Sequence, residues 1–137
     1  MGRILLAIGI VIGVAAATAA AAVPTFDTTR LYSEEAFVAA TKPYTDAIAR
    51  NANDADAHHW LGVAYSHAFM LFKFGIVQYS GGYGDKAVAS LERAVQLNAG
   101  PAAMLALAQA YTAVGERSKY AALMDRLGGM AQPIPLK

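Results

Sequence analysis

The sequence predicts an all-α fold, a short solenoid of antiparallel helix pairs behind an apolar amino-terminal segment. Three observations lead to it. Leu61-Gly62-Val63-Ala64-Tyr65 returns 46 residues later as Leu107-Ala108-Gln109-Ala110-Tyr111. A second phrase, Ala47-Ile48-Ala49-Arg50-Asn51, returns as Ala94-Val95-Gln96-Leu97-Asn98. Two phrases repeating in the same order mark a stacked repeat, whose units bury their apolar faces against one another. Between them, apolar residues such as Ala87, Val88, Leu91, Ala94 and Val95 fall at helical spacing.

The phrases resemble the tetratricopeptide repeat (TPR), a helix–turn–helix unit of about 34 residues. Ala87, Leu91 and Ala94 fill the second-helix positions of one unit, and Ala40, Tyr44 and Ala47 those of a partial unit before it. The resemblance runs from about Phe37 to Leu127 and amounts to about two and a half repeats. The chain departs from the family in three places. The closing Pro is Ala52 in one copy and Ala99 in the other, and the Gly of the second copy is Ala108. The first complete unit is also about a dozen residues longer than the family's.

Arg3 precedes an uncharged run from Ile4 to Val23 in which Thr18 is the single polar side chain. The run reads as a membrane-spanning helix, which needs about 20 apolar residues. It also reads as a signal peptide, with Ala20-x-Ala22 as the cleavage site. Either reading exports the rest, since a positive flank stays cytoplasmic. The expected location is the periplasmic side of the inner membrane, anchored by residues 4–23; the alternative is a soluble periplasmic or secreted protein cut near Ala22.

Residues 24–32 are then expected as a polar linker, 33–128 as the helical domain and 129–137 as an extended, Pro-restricted tail. Ser33 with Glu34 and Glu35 starts a helix that should run to about Asn51, kinked or divided by Pro43 near Thr41. Asp54 or Asp56 caps the next helix. Its pattern continues through Phe69, Met70, Leu71, Phe72, Phe74, Ile76, Val77 and Tyr79, with Lys73 and Gln78 as the polar exceptions. A helix from Ala57 to Tyr79 would be about 35 Å long. It would overhang the two-helix unit by about three turns and present an apolar docking surface. Ser80 to Gly84 is expected as loop, Asp85 as the next cap, and helices from about Ala102 to Val114 and Glu116 to Leu127 as the last unit, ended by Gly128-Gly129.

No residue set points to catalysis. Asp54, Asp56, Glu34 and Glu35 are explained as caps, Ser66 beside His67 lacks an orienting acid, and Gly81-Gly82-x-Gly84 lacks the strand and Lys of a phosphate loop. His58 and His59 point about 100° apart on a helix, and Val63 separates His59 from His67. No catalytic residue, metal or cofactor is therefore expected. With 0 cysteines, disulfides and thiolate sites are excluded. Without Arg3, 10 basic residues face 10 acidic ones, which leaves no basic footprint for nucleic acid.

The family resemblance implies a concave groove lined by the first helices of successive units. Aligned here, that groove is His59, Val63, Ser66 and His67, then Leu105, Gln109, Thr112 and Ala113. The Lys and Asn with which some members clamp a carboxylate are not at these positions. The expectation is a non-enzymatic interaction module, an adaptor or accessory subunit of a larger membrane complex with other protein chains as partners. The alternative is a structural protein that assembles with copies of itself through Phe69–Tyr79.

Overall fold

A computed structural model describes residues 22–130. These residues are helical, with no strand among them: α1 (Glu34–Arg50), α2 (Ala55–Lys73), α3 (Tyr83–Gln96), α4 (Pro101–Val114) and α5 (Arg117–Met130). Each helix packs on the next, and α2 also touches α4. The amino-terminal run expected as anchor or signal, and the tail beyond Met130, lie outside the described residues. Among the described residues no helix is long and apolar enough to cross a membrane.

The repeated phrases occupy matching places. Leu61 and Ala64 are buried in α2, as are Leu107 and Ala110 in α4. The Gly-to-Ala difference has a packing reason. A Cβ on Gly62 would lie 2.8 Å from Leu91 Cδ2 and 3.2 Å from the Leu91 backbone nitrogen, so α2 and α3 touch where a side chain cannot fit. At Ala108 the methyl group is itself buried in the core.

Two apolar clusters hold the helices together. Leu91, Met104, Leu107, Tyr111 and Leu123 join α3, α4 and α5. Phe26, Tyr32, Phe37, Tyr44 and Leu61 join α1 and α2 to the segment before them. Tyr65 packs against both. The segment expected as a polar linker, residues 24–32, is thus part of the folded unit. Phe26 stacks on Tyr32 at 5.2 Å, and Tyr32 donates to the Asp27 carbonyl at 3.0 Å. Its polar residues turn the chain, with Thr29 closing on Asp27, while its two aromatics go inward.

The long apolar helix expected from Ala57 to Tyr79 is not formed. α2 ends at Lys73. Gly75 takes φ +72°, Ile76 N–H donates to Leu71 O at 2.9 Å and Gly75 N–H to Phe72 O at 2.9 Å, which is a Schellman stop. One glycine in the left-handed conformation outweighs the helical pattern of its neighbours because it satisfies the orphan carbonyls of the last turn. The chain then folds back: the Ser80 hydroxyl, fully buried, donates to Ala68 O at 2.6 Å, and the Tyr79 hydroxyl donates to Tyr32 O at 3.1 Å. No overhang exists.

Three smaller expectations also change. Of the two outcomes expected at Pro43, division does not occur: α1 is one helix through it. Ala39 and Pro43 both face solvent, so water can meet the carbonyl that Pro43 leaves without a donor. α3 begins at Tyr83, two residues before Asp85, with Gly84 already helical and buried. A Cβ on Gly84 would stand 2.8 Å from Val114 Cγ1 and 2.9 Å from Phe69 Cε1.

At the other end, α5 runs on through Gly128 and Gly129 to Met130. Neither glycine takes a positive φ, and each costs about 1 kcal/mol relative to Ala without removing a hydrogen bond. A Cβ at either would meet nothing within 4 Å. Replacing both, Gly128→Ala with Gly129→Ala, is therefore expected to stabilise the fold by about 1–2 kcal/mol in denaturant unfolding.

Candidate functional site

α2 and α4 lie side by side, and along their shared edge runs an open groove of about 830 Å³. α2 contributes Val63, Ser66, His67, Met70 and Lys73, a spacing of three and four that keeps them on one helix face. α4 contributes Leu105, Gln109, Thr112 and Ala113 in the same way. Tyr120 and Met124 of α5 form a third wall, and Thr28 reaches in from the amino-terminal segment.

His67 and Lys73 of the groove are already engaged. His67 Nε2 donates to the Arg30 carbonyl at 3.1 Å, while its ring stands edge-on to Phe26 at 5.9 Å. Lys73 Nζ donates to Ala113 O at 2.8 Å, satisfying a carbonyl in the last turn of α4. Thr112 likewise spends its hydroxyl proton on Ala108 O at 3.0 Å. Ser66 differs, since its Oγ is buried and has no hydrogen-bond partner among the described residues. Among the described residues no carboxylate lines the groove. Leu105 is 55% exposed and Tyr120 40%, so apolar surface faces the open space. The arrangement can bury apolar side chains and offer hydrogen bonds from Gln109 and Tyr120. It brings no acid–base pair together.

Of the eight groove residues expected from the sequence, the structure brings together Val63, Ser66, His67, Leu105, Gln109, Thr112 and Ala113. His59 does not line the groove. Its ring stacks on Trp60 at 4.9 Å, and burial there lowers its pKa against the opposing pull of Asp56. His58 is elsewhere again, with Nε2 2.9 Å from the Ala52 carbonyl. Among the described residues no cluster of three or more His, Cys, Asp or Glu forms.

The residues expected as an overhang are dispersed. Met70 lines the groove. Phe69 stacks with Phe72 at 6.4 Å, and Phe72 covers Gly81. Leu71 and Val77 are half-buried, and Tyr79 packs beside Phe37 at 6.0 Å. Phe74, 70% exposed, and Ile76, 53% exposed, remain outside on the turn.

Sequence reasoning missed the third wall. Tyr120 and Met124 sit four apart in α5, a spacing that was available as a signal. It also missed Thr28, which reaches the groove because Phe26 and Tyr32 fasten its segment to the core. Comparison with known proteins gives no match: no family model, curated protein or solved structure is similar to this chain.

Proposed function

We propose that this chain is a non-enzymatic protein-interaction module of tetratricopeptide type, held on the exported face of a membrane by residues 4–23. Its α2–α4 groove receives a segment of another protein, and the chain serves as adaptor or accessory subunit of a membrane complex. The observation that carries this reading is the groove itself: apolar, free of carboxylates and lined by equivalent faces of two repeated helices. The occupant suited to it is an extended apolar stretch of chain whose backbone can meet the Gln109 amide.

Leu105→Asp with Gln109→Ala tests the reading. Both side chains are exposed, so helicity should be unchanged, while partner retention during purification in detergent should fall at least tenfold. Unaltered retention would remove the groove from the account.

A second reading, self-assembly, is supported by the exposed Phe74 and Ile76. Light scattering in detergent separates the two. A defined homo-oligomer that Phe74→Asp with Ile76→Asp converts to monomer favours self-assembly, whereas a monomer from the outset opposes it.

A further inference from the structure

The turn that ends α2 carries two large apolar side chains outside the core. We infer that Phe74 and Ile76 form a second membrane contact, seated in the phospholipid interface of the leaflet from which the anchor emerges. This rests on the reading of residues 4–23 as a membrane anchor.

The turn is built to project. Gly75 takes φ +72°, and a Cβ added there would meet nothing within 4 Å. Phe74 and Ile76 on either side of it are 70% and 53% exposed, and neither joins an apolar cluster of the core. Their neighbours do the opposite: Phe72 covers Gly81, and the Tyr79 and Ser80 hydroxyls bond inward. Charge suits lipid as well. Residues 57–84 contain no Asp or Glu, and Lys73 is the one Lys or Arg among them. Lys73 is exposed at the base of the turn, where a cation fits an anionic headgroup layer and a carboxylate would not.

Proximity comes from the amino-terminal side. Val23 ends the apolar run and also packs against the second cluster, so no slack linker separates the two. The segment that follows is fastened on the carboxy-terminal half of α2, the half that leads into the turn. There the Phe26 ring stands 5.9 Å from the His67 ring, and the Tyr79 hydroxyl donates to Tyr32 O at 3.1 Å. A domain of this size has a radius of gyration of about 13 Å, so its surface stays within reach of the headgroups. A tethered group acts at an effective concentration in the millimolar range, and even a weak apolar contact is then occupied.

A second copy of the chain is the poorer occupant. Phe74 and Ile76 offer roughly a few hundred Å² between them, whereas a specific interface buries about 1,200–2,000 Å² in total. Lipid requires no complementary surface. Seated this way, the Lys73 end of the α2–α4 groove opens at the headgroups.

The test uses the full chain in vesicles of phosphatidylcholine and phosphatidylglycerol, collected by flotation. Because the chain has no native cysteine, a fluorescent probe can be placed singly by Ile76→Cys or by Ala52→Cys. Ala52 is exposed and precedes α2, whose 19 residues put about 28 Å of helix between it and the turn. Lipids carrying a nitroxide near the headgroup should quench the probe at position 76 several-fold more than at position 52. Adding Phe74→Asp should bring position 76 down to the level of position 52, with helicity unchanged because Phe74 is exposed. Equal quenching at the two positions in floated protein overturns the inference and leaves the anchor standing. Protein that does not float removes the anchor, and the inference with it. A probe at position 76 shielded from aqueous iodide yet untouched by lipid nitroxides means that a second copy covers the turn, which overturns the inference as well.

Discussion

Phe37→Ala is expected to destabilise the fold by about 3–5 kcal/mol, the usual loss for a buried Phe. Phe37 is 1% exposed and stands at the centre of five other rings: Phe26 at 6.0 Å, Tyr32 at 6.4 Å, Tyr65 at 6.1 Å, Tyr79 at 6.0 Å and Tyr83 at 5.3 Å. Those rings come from the amino-terminal segment, α2, the α2–α3 turn and α3, so one truncation loosens four parts of the molecule. A domain of this size is stable by about 5–15 kcal/mol in all, and such a loss is a large share of it. Urea unfolding of the full chain in detergent, followed by helicity, measures the effect. Val38→Ala serves as the control, since Val38 is the adjacent residue and 59% exposed; it should change stability by less than about 0.5 kcal/mol. A Phe37→Ala loss below about 1 kcal/mol would mean that the aromatic cluster does not hold these elements together.

Gly62→Ala is the second large effect, and it works by addition instead of removal. The new methyl would meet the Leu91 side chain and press on its backbone nitrogen, and Leu91 is 0% exposed, with no room to retreat. Overpacking of this kind costs about 1–3 kcal/mol. Gly82→Ala, where a Cβ meets nothing within 4 Å, should be close to neutral in the same unfolding experiment. If both substitutions behave alike, the close approach of α2 and α3 is not what fixes glycine at position 62.

The helices were legible in the sequence because they follow from periodicity, while the groove residues came from what the family resemblance implies. Ala87, Leu91 and Ala94 recur at helical spacing and are all buried. Alignment to the tetratricopeptide pattern set Val63, Ser66 and His67 with Leu105, Gln109 and Thr112, and the structure brings these side chains to one groove. Periodicity failed where a single backbone conformation decides the outcome. Gly75 sits in an apolar stretch that a helix would accommodate, yet its positive φ stops α2 and sends Tyr79 and Ser80 into the interior. Composition misled at residues 24–32 for a related reason. Asp27, Thr28 and Thr29 make the average polar, but burial is decided by the individual side chains Phe26 and Tyr32. His59 aligned with the groove and still fell outside it, because its ring stacks on Trp60.

The central claim is that the α2–α4 groove receives a partner segment, and photo-cross-linking from within it tests that claim most directly. A photoreactive side chain replaces Leu105 in the groove, or Ala89 on an exposed position of α3, in full chain embedded in native membranes. The account expects position 105 to form an adduct with one extended, carboxylate-poor segment of a second protein, mapped by mass spectrometry, and position 89 to form none. Adducts of equal yield from both positions, or a segment rich in acidic residues at position 105, would contradict it.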